Sequence, residues 1–406
     1  MKDTTSSEEG SMANVTGKKQ TTDTTPTEGT VPDTTPTDTT HPDKTHTDTP
    51  PPDQASADAT PPEKVSVDKT PAGRTSTDAA AGGTPAAKGG DAPPARRRAR
   101  SAPELAALLV VLVALIAFFW LKSPYFMTKD NIVNVLTAIA VTGIIAIPGT
   151  MLLIAGQVDL SVGSGAAFCG VMMATVSQNH ALILGVLVAV GLGILIGLVN
   201  GLLVTVLRVN ALIATLGMLA VLRGLTEVRA HGATVTLANF SGLGTARPFL
   251  NIPVPGLLLL GIAVLAALVM RYTVFGRSLY AAGSNPVAAR LVGVRGGKMI
   301  VVAFVLSGVG VALSGLILDS QLSAASPNAA TGLELSVVTA IVLGGASLAG
   351  GRGTIQGTIV GLLIIGVLNN GLTLLNVSSF YQQVASGALL IIAVSFDQLR
   401  LRFSKL

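Results

Sequence analysis

An aspartate stands at position 159 in the run AGQVDLSVGSGAA, with Ser161 and Ser164 beside it and glycines at 156, 163 and 165. A carboxylate in an apolar run can be a proton or substrate site. It can also close a break between two half-helices by accepting N–H groups at the positive end of the second. No second carboxylate lies close by in sequence to form a relay, so capping by Asp159 or Ser161 is the preferred reading. Asn200, Asn369, Asn370 and Gln382 are polar groups in apolar segments, able to line a hydrophilic path or to bond helix to helix. The adjacent amides of GVLNNGLTLL project about 100° apart on a helix, so at most one faces a central path. Arg223 in AVLRGLTEV is placed to pair with Glu227 at i+4 or to snorkel from a helix end.

Enzyme chemistry finds little to work with. His41, His46, His180 and His231 show no metal-ligand spacing, and the lone Cys169 excludes an intramolecular disulfide or a cysteine zinc cluster. GGASLAGGRGT from Gly344 fails the nucleophile-elbow pattern, because Ala349 stands where a glycine is needed. A phosphate-binding loop at Gly297-Lys298 would need a glycine where Val292 stands and a hydroxyl where Met299 stands. The chain therefore has no such loop of its own for ATP, and no resident cofactor is expected.

The elements that must position these groups are membrane helices. Hydrophobic residues make up 49 % of the chain and charged residues 12 %, proportions of a polytopic membrane protein. Segments near the ~20 residues that cross a bilayer fall at about 103–122, 131–154, 160–178, 181–207, 210–227, 255–272, 298–319, 334–350, 355–375 and 379–397. The fold class expected is all-α with about ten transmembrane helices. Gly193, Gly197 and Gly201, and again Gly357 and Gly361, offer small faces for close helix approach. Between Arg271 and Lys298 the polar stretch RYTVFGRSLYAAGSNPVAARLVGVRGGK carries five basic residues and no acid, which places it on the cytoplasmic side. Asn285-Pro286 opens a short helix there, ending near Gly293, and a helix in such a loop invites a cytoplasmic partner.

Residues 1–100 carry 12 Lys+Arg and 15 Asp+Glu, the rest of the chain 15 and 7, so the basic balance belongs to the membrane part. That pattern suits the lipid bilayer, and without a basic groove interleaved with aromatics no nucleic-acid partner is expected. From Thr21 the tail runs in pentapeptides such as TTDTT, PTEGT and VPDTT, too poor in apolar surface to fold, and is read as a disordered and dispensable cytoplasmic extension. MKDTTSSEEG lacks the apolar core of a cleaved signal peptide. Arg96, Arg97, Arg98 and Arg100 ahead of the first span, and Arg400 to Lys405 at the end, put both termini in the cytoplasm.

Ordered blocks of the sequence resemble the membrane permease subunit of ribose/xylose-type ABC sugar importers: VDLSVGS at 158–164, LIATLGMLAVLRGLT at 212–226, FGRSLYAAGSNPVAARLVGV at 275–294, SPNAATGLELSVVTAIVLGGASLAGGRGT at 326–354 and GVLNNGLTLLNVSSFYQQV at 366–384. The resemblance spans nearly everything from Leu105 to Arg402, within one permease domain at 101–406, and omits the tail at 1–100. It implies a cobalamin-importer-like fold in the bacterial plasma membrane. Two permease copies would pair with cytoplasmic ATPase subunits that hold ATP and Mg²⁺, and an extracytoplasmic binding protein would deliver a monosaccharide such as ribose or xylose. It also makes the segment carrying Asn285, Pro286, Ala289, Arg290 and Gly293 the coupling helix. Asp159, Ser161, Asn200, Glu334, Asn369, Asn370 and Gln382 are then the candidates for the translocation path. Two departures from the family pattern, Gln157 ahead of Val158-Asp159 and Ser336 after Leu333-Glu334-Leu335, bear on which sugar is carried. Permeases for branched-chain amino acids or nucleosides are similar in layout. An ion-coupled carrier or channel, with Asp159 and Glu334 as coupling carboxylates, is the rival of another class.

Overall fold

The computed structural model describes residues 101–237, 240–249 and 251–403. The expectations for the tail, for Arg96 to Arg100 and for the basic side chains of the C-terminus lie outside what is described. The first apolar run forms α1 (Ser101–Lys122), whose Leu109, Val113 and Trp120 face outward while Phe119 packs on Gly371. Thr128 then caps α2 (Lys129–Ile154) by accepting from Asn131 N. Gly156, at φ 76°, turns the chain out of α2 towards α3 (Val162–Asn179). Next come α4 (Leu182–Thr205) and α5 (Ala211–Ala230), the latter capped by Asn210.

Two residue pairs beyond α5 form a small antiparallel ladder. Val235 of β1 (Val235–Thr236) faces Ala325 of β2 (Ala324–Ala325). Between these strands lie α6 (Gly242–Thr245), α7 (Val254–Tyr272), α8 (Val274–Ser284), α9 (Pro286–Leu291) and α10 (Gly296–Leu322). After β2 follow α11 (Leu333–Leu343), α12 (Ile355–Leu374) and α13 (Ser379–Phe403). Helix α10 is the central post, packed on α4, α3 and α2. A Cβ on Gly193 or Gly197 would strike the carbonyl oxygens of Gly308 and Phe304, and one on Gly361 would strike that of Ala340, so the small faces read from sequence are the places where helix backbones touch.

Each of the ten expected segments contains a helix, though that at 334–350 is helical only to Leu343. Seven helices, α1, α2, α4, α5, α7, α10 and α12, are long and apolar enough to cross a membrane among the described residues. Helix α3 closes on Ser177-Gln178-Asn179, and α11 stops after 11 residues because Gly344 and Gly345 break it, short of the 334–350 expectation. An α-helix of that length rises only about 16 Å, roughly half a bilayer core. The chain reaches α11 through the non-helical segment 326–332, whose Pro327 and Ala329 carbonyls accept from Arg223 Nη1. Arg223 is therefore not spent on Glu227, as its spacing suggested. A guanidinium that satisfies free carbonyls lets irregular backbone pack among apolar helices.

Candidate functional site

The polar groups singled out by sequence fall into separate places. Asp159, Ser161 and Asn200 meet in one buried layer between α2, α3, α4 and α10. Asp159 Oδ1 accepts from Ser161 N at 3.0 Å and from Ser161 Oγ at 2.6 Å, closing the turn ahead of α3, and Asn200 Nδ2 donates to Ser161 Oγ at 2.9 Å. Sequence reasoning missed the fourth member, Ser307 of α10, which donates to Asp159 Oδ2 at 3.0 Å from 148 positions away. A pocket of about 10 Å³, room for one water, lies against Asp159 and Ser307.

Replacing Asp159 by alanine strands three donors in an apolar surround, and a loss of about 3 kcal/mol is expected. Thermal unfolding in detergent checks this. A transition unchanged from wild type would show that Asp159 does not hold the α2–α3 turn.

The remaining path candidates are dispersed. Asn370 exchanges two amide bonds with Asn131 of α2, at 2.8 and 2.9 Å, and Gln382 donates to Thr373 Oγ1 and Val377 O. Glu334 opens α11 and lies against Gly163 and the Ala330 carbonyl. Glu334 Oε2, Asn200 Oδ1 and Asn369 Oδ1 are buried acceptors without a hydrogen-bond partner among the described residues.

The polar excursion between α7 and α10 is a helical elbow. Asn285 Oδ1 accepts from Val287 N and Ala288 N at 3.1 and 3.0 Å, Pro286 occupies the first turn of α9, and Gly293 at φ 81° ends the turn that follows. Ala289 is the buried contact of this helix, while Arg290 points outward. Val287, Leu291 and Val292 are 67 %, 84 % and 78 % exposed, an apolar knob that stands clear of the other described residues.

Helix α8, capped by Thr273, was not anticipated, although Phe275 and Leu279 stand at helical spacing. It is held without slack. Gly283 packs on the Ile154 carbonyl, which also accepts from Gly351 N at 2.8 Å, and Tyr280 Oη donates to Gly353 O at 2.8 Å. Burial pushes the Tyr280 phenol above its ordinary range, which keeps the proton it donates.

Beside the elbow a cavity of about 1160 Å³ runs from Arg208 and Asn210 on the α4–α5 turn, past Ala289 and Arg290, to Arg295 and Lys298 at the start of α10. Gln157 and Val158 line both this cavity and the small pocket at Asp159.

A family model described as "Branched-chain amino acid transport system / permease component" matches residues 131–394. The chain is 41 % identical over 298 residues to the ribose import permease protein RbsC of Escherichia coli (strain K12), covering 71 % of this chain and 92 % of that protein. It is 40 % identical to the ribose import permease protein RbsC of Bacillus subtilis (strain 168), over 72 % of this chain and 90 % of the relative. To the L-arabinose ABC transporter permease protein AraH of Azospirillum brasilense it is 39 % identical, over 72 % and 87 %. No solved structure matches.

Proposed function

This chain belongs to the family of branched-chain amino acid transport system permease components, and on that premise we propose that it is the membrane subunit of an ATP-binding cassette importer for a pentose. The observation that carries the reading is the α8–α9 elbow. A capped helix, anchored on backbone and presenting the unpaired knob of Val287, Leu291 and Val292, is built to be gripped by another protein. The partner is a separate ATPase subunit, in which ATP and Mg²⁺ are held. Asn285, Pro286, Ala289, Arg290 and Gly293 make up the coupling helix and its ends.

A second copy of the chain and an extracytoplasmic binding protein complete the assembly. We assign ten membrane segments in a cobalamin-importer-like arrangement with both termini in the cytoplasm; seven of these helices are long enough to cross among the described residues, α11 enters only part of the way, and the basic elbow supports the orientation. The ribose and arabinose named for the relatives support a pentose as cargo. A sugar presents hydroxyl donors, and the oxygens of Asn200, Glu334 and Asn369, buried in separate places and without a partner among the described residues, are acceptors that a rearranged path would bring to it. Asp159 and Ser161 keep the α3 terminus in place beside that path. Asn370 and Gln382 brace helices.

Proteoliposomes holding the chain, its ATPase and its binding protein test the proposal. Uptake of labelled ribose or arabinose that requires ATP and the ATPase is the expected result. Uptake driven by an ion gradient without ATP would make the protein a secondary carrier. ATP-driven uptake of leucine in place of a pentose would reassign the cargo.

A further inference from the structure

We propose that the cavity beside the elbow is a binding site for an anionic phospholipid. Its rim carries Arg208 from the α4–α5 turn, Arg290 from α9, and Arg295 and Lys298 from the start of α10. Among the described residues no acidic side chain lines it. None of the four cations enters a side-chain hydrogen bond or ion pair among the described residues, where the ion pair found is that of Arg247 with Asp130.

Arg208 sits at φ 58°, a left-handed turn position that glycine or asparagine adopts at less cost. The chain places a guanidinium there instead, facing the cavity. The rest of the wall includes an apolar part, with Leu160, Leu335, Val338, Leu348 and Leu390. A free phosphate would leave this wall bare, and a zwitterionic headgroup would bring an ammonium against four cations. An acyl chain beneath a net negative headgroup satisfies both parts of the cavity, as basic pockets between membrane helices do. Its headgroup would touch α9 and the base of α10 together, so the lipid would brace the elbow against the bundle.

The experiment uses the full chain in nanodiscs of phosphatidylcholine with a minor share of phosphatidylglycerol, and mass spectrometry of the retained lipid. Wild type should retain phosphatidylglycerol well above its share of the bilayer. Binding should fall about fivefold for each cation removed in Arg208→Gln and Lys298→Gln. Leu348→Trp, which fills the apolar part and leaves the rim intact, should also lower retention. The same enrichment in all these variants, or equal retention of phosphatidylcholine, overturns the site. Displacement of the lipid by inorganic phosphate would show that the acyl contact contributes nothing, and would likewise overturn it. So would loss of phosphatidylglycerol whenever the ATPase subunit is bound, because the cations would then belong to the protein interface. Should the glutamine variants fail to fold, wild type at rising salt decides: retention must fall with ionic strength.

Discussion

Gly308→Leu should leave almost no folded protein in the membrane. The Cβ of any other residue there would enter the carbonyl of Gly193 and crowd the Gly197 amide, at the contact where α10 lies directly on α4. Both backbones are fixed by their own helical hydrogen bonds, so the only response is for the helices to part, which opens the packing of Ala189, Ile196 and Ala312. Overpacking ordinarily costs about 1–3 kcal/mol, and separating the best-packed helix pair places this substitution at roughly 4–5 kcal/mol. Gly191→Leu, on the partner helix α4, is the control, since a Cβ there meets nothing within 4 Å. It should be neutral, because leucine favours helix over glycine and would face lipid. Membrane yield and thermal unfolding in detergent decide the matter. Wild-type behaviour of Gly308→Leu would mean that α4 and α10 do not meet on their glycines.

Val287→Asp combined with Leu291→Gln should uncouple the transporter while leaving it folded. Both side chains are more than half exposed on α9, and neither belongs to a core cluster, so stability should move by no more than about 0.5 kcal/mol. If the knob is the grip of the ATPase, two apolar anchors are lost from the centre of that interface, and affinity for the ATPase should fall roughly 100-fold or more. ATP-driven uptake should fall with it. Ala289 cannot serve for this test, because it is buried against the fold and a larger side chain there would confuse docking with packing. Full uptake by the double variant would move the grip away from α9. Unfolding of the variant would show that the knob packs within the chain.

What the sequence disclosed was local. Asn285 before Pro286 is a complete helix start within two residues, and the structure caps α9 with that amide. Four-residue glycine spacing marks a face by periodicity, and those faces are the helix contacts. What it hid was tertiary. Nothing near Asp159 points to Ser307, and nothing near Arg223 points to the carbonyls of Pro327 and Ala329, because those partners are brought in only by packing. Glu227 at i+4 offered Arg223 a local answer, yet free carbonyls among apolar helices need a donor more than an acid at a helix end needs a cation. The early stop of α11 was legible in Gly344-Gly345, but apolar content on either side carried the expectation past it.

The backbone seat of Gly283 on Ile154 has a mechanical consequence. Side chains at a joint can change rotamer and absorb displacement, whereas two main chains in contact, tied further by the Gly351 amide, offer no such compliance. If α9 is the coupling helix, a push on it would pass through α8 into the last turn of α2, and from there on one branch to the Gly156 turn and Asp159. On the other branch it would reach the 350–353 loop that leads into α12. Glycine at 283 is what lets the two main chains meet, and any larger residue there would force the joint open rather than soften it.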